Sequence, residues 1–213
     1  MTPGETTLRL PADKRVIHNP VSGERIVVRQ SGAETGGRLL SFDLFLPRGG
    51  HVPARHVHPE QEERFTVVAG RMRFRLGRRS VLARPGETVV VPPRTAHWFG
   101  NAGIEVAHAR VEVRPALRME EFFEATEAMS RSGRLFGTRL PRLSDLALVL
   151  LEFQREVAVP SVPEFLVMLV LTPIAWLGRR RGRGAHRRVV ACLRRRMSLG
   201  QASSGASAGE CSK

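Results

Sequence analysis

Residues 49–70, GGHVPARHVHPEQEERFTVVAG, constrain this chain more than any other stretch, because they put a glutamate where apolar side chains belong. His56 and His58 are two apart, so on a strand both imidazoles project to the same face. Glu63 follows after a four-residue bend and begins the next strand, where Phe65 and Val67 share its face. A face that carries Phe65 and Val67 is an interior face, and a carboxylate there is costly unless a positive partner is buried with it. Two neighbouring imidazoles point to a divalent cation as that partner. The fold therefore has to enclose a β interior around a cation.

The surroundings supply such an interior. From about Glu24 to Val113 the chain reads as short strands, ERIVVRQ, RLLSFDLFL, EERFTVVAG, RMRFRLG, ETVVVP and IEVAHARVEV, which together predict a sandwich or barrel. Arg71, Arg73 and Arg75 alternate with Met72, Phe74 and Leu76, the period of a strand half buried and half wet. Gly70, Gly77, Gly86 and Gly100 punctuate the strands as turn residues. No whole unit repeats, so one barrel is expected.

A later stretch, PGETVVVPPRTAHWFGN, supplies His97 on another strand, in phase with Phe99. Three imidazoles and a carboxylate suit Mn, Fe, Co, Ni, Cu or Zn, and on an octahedral ion they leave two positions for water, substrate or dioxygen. Trp98 has the opposite phase and reads as a packing or interface residue. His108 falls in phase with Ile104 and Val106, packed there or lining the pocket with Phe65, Val67 and Phe99.

Gly50, His56, His58, Glu63 and Gly70 meet the pattern G-x5-H-x-H-x4-E-x6-G. Gly86, Pro92, His97 and Asn101 meet G-x5-P-x-G-x2-H-x3-N, with Arg94 in place of the middle glycine. Over roughly residues 24–114 the chain thus resembles the cupin superfamily. The resemblance implies a jelly-roll antiparallel β-barrel with His56, His58, Glu63 and His97 at the metal-ligand positions, holding one divalent ion, Fe, Mn, Ni or Zn. The departure at Arg94 touches the turn and leaves the ligand positions intact. Small barrels of this family commonly pair, so a homodimer is expected.

Past Pro115 the periodicity changes from two to about 3.6, the helical value. The expected organisation is an N-terminal arm at 1–23, the barrel at 24–114, a helical extension with an arginine-rich stretch at 115–199 and a disordered tail at 200–213. Met119 to Ser130 predicts one helix, with acids at 120, 121 and 124 near its N-terminal end. A second is capped by Ser144 and carries the stripe Leu146, Leu150, Phe153 and Val157. A third opens with Ser161 and Glu164 as a capping box and runs FLVMLVLTPIAWL from Phe165 to Leu177, apolar on every side. Its length falls short of the about 20 apolar residues of a membrane span. Burial against the barrel or a dimer mate is the first expectation for it, and an interfacial anchor built on Phe165, Leu169, Trp176 and the adjacent arginines is the second.

Nine arginines and no acid lie between Arg179 and Arg196, so most of the formal charge of +14 is local. A solvated arginine run, a membrane surface and a nucleic acid all fit such charge. Nucleic acid is the weakest of the three, since no helix-turn-helix or zinc-finger pattern accompanies the run. Cys192 and Cys211 stand outside any repeated spacing, and MTPGETTLRLPADKR lacks the apolar run of a secretory signal. A cytoplasmic protein is expected, peripheral at the inner face of the membrane if residues 161–196 act as an anchor.

A barrel of this kind does not select a reaction. The expected function is a metal-dependent enzyme acting on a small organic molecule that coordinates the metal, with dioxygenase-like chemistry first and isomerase or lyase chemistry next. The alternative is a non-catalytic ligand sensor or binding module that reports through its helical half. The chain has no tyrosine, which leaves His108, Asp43 and water as proton-transfer candidates inside the barrel.

Overall fold

The computed structural model describes residues 15–20, 22–52, 54–131, 143–160 and 164–180. Nine strands come first: β1 (Val16–His18), β2 (Arg25–Gln30), β3 (Leu40–Leu46), β4 (Glu62–Ala69), β5 (Met72–Leu76), β6 (Arg79–Ala83), β7 (Thr88–Val91), β8 (His97–Asn101) and β9 (Ala107–Arg114). Three helices follow: α1 (Met119–Arg131), α2 (Leu143–Glu152) and α3 (Glu164–Arg180). The strands form an antiparallel six-stranded sheet in the order β1-β2-β3-β9-β4-β7 and a three-stranded sheet in the order β6-β5-β8. Residues 51–56 extend the smaller sheet through isolated bridges, His51 to Gly100 and His56 to His97.

Period-two alternation decides which side chains fill the space between the sheets. In β5, Met72 and Phe74 are buried while Arg73 and Arg75 are exposed. In β9, Ala107, Ala109, Val111 and Val113 point inward, and β4 sends in Phe65 and Val67. At the floor Phe65 meets Phe74 and Phe99, with ring centroids 5.2 and 5.0 Å apart. β3 is buried on both faces: Leu40, Phe42, Leu44 and Leu46 belong to the interior, and Ser41, Asp43 and Phe45 lie on the outer side of the sheet.

Four local readings are corrected. The late strand begins at Ala107 instead of Ile104, and Ile104 and Val106 are exposed. The reason is Asn101, whose Nδ2 donates to the carbonyls of Leu46, Pro47 and Glu105 and whose Oδ1 accepts from the Gly103 amide, gathering residues 102–106 into a loop. The ligand segment is no regular strand, since His56 and Val57 make only isolated bridges. Ser144 sits inside the first turn of α2 and not before it. That helix ends at Glu152, so Phe153 and Val157 are buried beyond its end, on the turn that leads to the Ala158 bridge. The Ser161 capping box lies outside the described residues.

Gly70, which closes the first motif, has φ +72°, and a Cβ there would stand 2.9 Å from the Ala107 Cα, so only glycine lets β9 pass this close. The helices cap the larger sheet. Ala116 and Met119 enter the barrel core, and Phe123 meets Phe42 edge to face at 5.2 Å. Phe122 in turn packs on Phe153, and α3 lies along α2 through Ala147, Leu148 and Ala175.

Candidate metal centre

Four side chains converge between the sheets. His56 and His58 come from the segment before β4, Glu63 from the start of β4 and His97 from the start of β8. The pairing explains the meeting: the His56 and His97 backbones exchange both hydrogen bonds, at 3.0 and 2.9 Å. One ligand atom from each residue lies within 4.8 Å of every other. His58, Glu63 and His97 are buried, and His56 is the partly exposed member, so the cluster opens on its side.

Each imidazole is held by its far nitrogen. Nδ1 of His56 lies 3.0 Å from the Ala54 carbonyl and Nδ1 of His97 lies 3.0 Å from the Thr95 carbonyl; Nδ1 of His58 donates to the carbonyl of Glu156. A carbonyl only accepts, so each Nδ1 carries the proton and each Nε2 presents its lone pair to the centre. This is the arrangement by which outer hydrogen bonds orient metal-ligating histidines.

The convergent atoms have nothing of their own to satisfy them. Nε2 of His58 and His97 approach Glu63 Oε2 to 3.3 and 3.1 Å, yet all three atoms are buried without a well-formed hydrogen bond. Buried polar atoms are normally paired, and a divalent ion bonded to all of them removes the deficit. The donor set fits: three neutral imidazole nitrogens and one carboxylate suit a first-row transition ion.

The electrostatics set His56 apart from His58, where a proton on Nε2 would compete with a metal ion. Burial, with the charges of His58 and His97 beside it, lowers the His56 pKa to about 3, so this ring is neutral and ready to ligate. Burial also opposes charge on His58, but Glu63 outweighs it and raises that pKa above the ordinary histidine value. Burial would raise Glu63; His58 and His97 together hold it well below the usual carboxylate range.

The other residues singled out by the sequence divide between two faces. Phe65, Val67 and Phe99 are buried in the interior that contains the ligands. His108 lies on the opposite face, between inward Ala107 and Ala109, with its ring stacked on Phe45 at 4.4 Å and its Nε2 3.1 Å from Asp43 Oδ1. Trp98 is half-buried with the opposite phase to His97, and Glu62 lies beside Arg64 at 3.6 Å.

Three features escape sequence reasoning. The second-motif turn survives the loss of its glycine because Arg94 itself adopts φ +63°, and its amide donates to the His58 carbonyl at 2.7 Å. The residues after α2 brace the ligand segment: Val57 and Ala158 exchange backbone hydrogen bonds at 3.0 and 2.8 Å, Arg155 clasps Glu60 at 2.8 and 2.6 Å, and Glu156 holds His58. The third is Glu24, which shares its phase with the interior residues Ile26 and Val28. Burial, reinforced by the charge of Glu63 and only partly offset by the Ser22 hydroxyl, pushes its carboxyl up to about 7. A signal for it existed: the Glu24–Ile26–Val28 alternation repeats the logic of Glu63–Phe65–Val67.

A family model described as "Cupin domain" matches residues 43–113. Among solved structures the chain is similar to an RmlC-like cupin from Shewanella frigidimarina, at 13% identity and a TM-score of 0.43 over 55% of this chain and 96% of that one. It is similar to a predicted oxalate decarboxylase from Thermotoga maritima, at 18% identity and a TM-score of 0.42 over 48% and 91% of the two chains. It is also similar to the DMSP lyase DddQ from Ruegeria pomeroyi, at 27% identity and a TM-score of 0.34 over 38% and 40%. No curated protein matches the chain.

Proposed function

We propose that this protein, whose residues 43–113 match a family model described as a cupin domain, is a metal-dependent enzyme that acts on a small organic molecule inside the barrel. The observation that carries this reading is the convergence of three oriented imidazoles and one carboxylate, of which the inner atoms of His58, Glu63 and His97 are buried without a hydrogen-bond partner. His56, His58, Glu63 and His97 would hold one divalent ion. When bound, that ion supplies Lewis acidity and open coordination positions for a substrate or dioxygen.

The chain's own residues set the conditions around it. The carbonyls of Ala54, Thr95 and Glu156 fix the three tautomers. Phe65, Val67 and Phe99 keep the floor dry, and the partly exposed His56 marks the side of entry. Glu24, half-buried just before β2, would supply what a barrel without tyrosine lacks: a carboxyl whose pKa is pushed up to about 7. Such a group favours chemistry in which a proton moves on the substrate, as in an isomerase or lyase, over dioxygen chemistry that needs no side-chain base.

The test is metal analysis of purified protein, followed by a substrate screen with two readouts. One is oxygen uptake with small aromatic and enol compounds; the other is solvent-deuterium exchange into small hydroxy acids and carbonyl compounds. We expect close to one equivalent of metal, and exchange that disappears in Glu24→Gln while the metal stays. Metal-free protein would remove the enzyme reading. Oxygen uptake untouched by Glu24→Gln would return it to dioxygenase-like chemistry.

A further inference from the structure

The helical hairpin presents a surface that the barrel chemistry does not use. α3 buries a narrow stripe against α2: Ala175 is fully covered, and Leu171 and Ile174 pack beside it. Much of its apolar surface faces outward, with Phe165 68%, Leu169 69% and Val170 57% exposed, and Met168 and Leu177 also exposed. No charged residue interrupts the run from Phe165 to Leu177. Contiguous exposed apolar surface of this extent is rare on monomeric soluble proteins and marks a docking face.

The charge beside this face selects the occupant. In the sequence nine arginines lie between Arg179 and Arg196, those from Arg181 on outside the described residues, and no acidic residue occurs from Phe165 to Gly209. A second copy of the hairpin would cover the apolar residues only by bringing nine more positive charges, with no acidic residue from Phe165 to Gly209 of either copy to answer them. A nucleic acid would supply phosphates but nothing for Phe165 and Leu169 to bury against. An anionic lipid surface supplies both, with acyl chains under the apolar face and headgroups beside the arginines. No described helix is long and apolar enough to cross a membrane, so α3 would lie in the interface. We propose that the exposed face of α3 docks this protein on an anionic lipid surface.

The docking element is not a loose tail. The turn between α2 and α3 pairs with the ligand segment through Val57 and Ala158, and Arg155 clasps Glu60 there. Docking through α3 would therefore hold the barrel itself against the surface.

The experiment is flotation of the full chain with vesicles of phosphatidylcholine mixed with phosphatidylserine and, separately, of phosphatidylcholine alone, at low and high salt. Wild type should float with the anionic vesicles only and come off as salt rises. The double variant Phe165→Ser/Leu169→Ser changes two exposed side chains, so metal content and circular dichroism should stay as in wild type; its binding to the anionic vesicles should weaken about tenfold or more. Failure of wild type to float, equal flotation with neutral vesicles, or a double variant that floats like wild type would each overturn the proposal. Sedimentation without vesicles adds a check: if the double variant turns an oligomer into a monomer, the face is a contact between copies. Duplex DNA that competes for wild type, with vesicle binding indifferent to the double variant, would assign the arginines to nucleic acid instead.

Discussion

Two histidine–carboxylate clusters lie back to back across the larger sheet, and they are built for opposite ends. On the inner face His58 and His97 approach Glu63 at 3.3 and 3.1 Å; on the outer face His108 approaches Asp43 at a similar 3.1 Å. The distances match, but the compensation differs. Asp43 also takes the Arg29 guanidinium at 2.5 Å and has Arg110 at 3.7 Å, so permanent cations answer its charge. Glu63 has only imidazoles, each already tied through Nδ1 to a backbone carbonyl. A carboxylate answered by arginine makes an ion pair, whereas one answered only by oriented imidazoles would be completed by a metal ion. Glu24 is a third case, a half-buried carboxyl with only a hydroxyl to help it, and its pKa is pushed up to about 7.

The largest effect should come from breaking the inner cluster. Replacing His56 and His58 together with alanine should empty the site and leave Glu63 buried with one imidazole. Breaking a buried charge pair costs about 3–5 kcal/mol, so the melting temperature should fall with the metal. Metal analysis and thermal melts of both proteins check this. A double variant with full metal occupancy would dissolve the contrast, because the inner cluster would then be another self-sufficient ion pair.

How far the contrast was legible in the sequence follows from what a side-chain pattern records. Alternation in Arg71–Leu76 and in Glu63–Phe65–Val67 reports burial directly, so the barrel and the two motifs could be read. β1 and β6, with three and five residues and much of their surface exposed, carry too little alternation to show. The face on which His108 packs was not legible because Asn101 ties residues 102–106 into a loop, and that tie is made by carbonyls. The brace on His58 is likewise a backbone oxygen 98 residues away, which leaves no mark on residue type. Sequence named the four residues that converge and was silent about what aims them.

Glu24 offers a sharper test through pH. Unfolded, its carboxyl releases its proton near the ordinary value of 4.5; folded, it does so near 7. Between those values the folded state binds the extra proton, so stability should fall as pH rises from about 4.5 to about 7, by about 3 kcal/mol at most. Below that window this contribution is flat. Glu24→Gln should remove the slope, and since burial is its main cause, a bound metal that neutralises Glu63 should leave most of it in place. Urea melts of both proteins across the window measure the difference. Parallel curves would mean that this carboxyl is solvated and no proton store.

The outer cluster should respond more mildly. Asp43→Asn keeps the size and a carbonyl acceptor for Arg29 and loses only the charge. A cost of about 1–2 kcal/mol fits the loss of charge-assisted hydrogen bonds when the guanidiniums can still reach water. Metal occupancy should not change. A variant that lost its metal would show that the two faces are coupled through β3 and β9, against the separation argued above.

The smallest effect concerns the turn that carries the inner cluster. Arg94 sits at φ +63°, in the left-handed region that costs a residue with a Cβ about 1 kcal/mol, and its side chain is exposed. Glycine removes that cost but gives the unfolded chain more freedom, so the two terms partly cancel. Arg94→Gly should therefore stabilise the protein by a few tenths to about 1 kcal/mol, with metal content unchanged. Arg94→Val should do the reverse, because a β-branched residue is a severe misfit at positive φ. Its amide donates to the His58 carbonyl at 2.7 Å, so any shift of this turn reaches a ligand directly. Thermal melts with metal analysis on both variants separate the outcomes. If Arg94→Gly destabilised the barrel while valine was tolerated, the turn would not be holding the ligand segment, and the aim of His58 would rest on Glu156 alone.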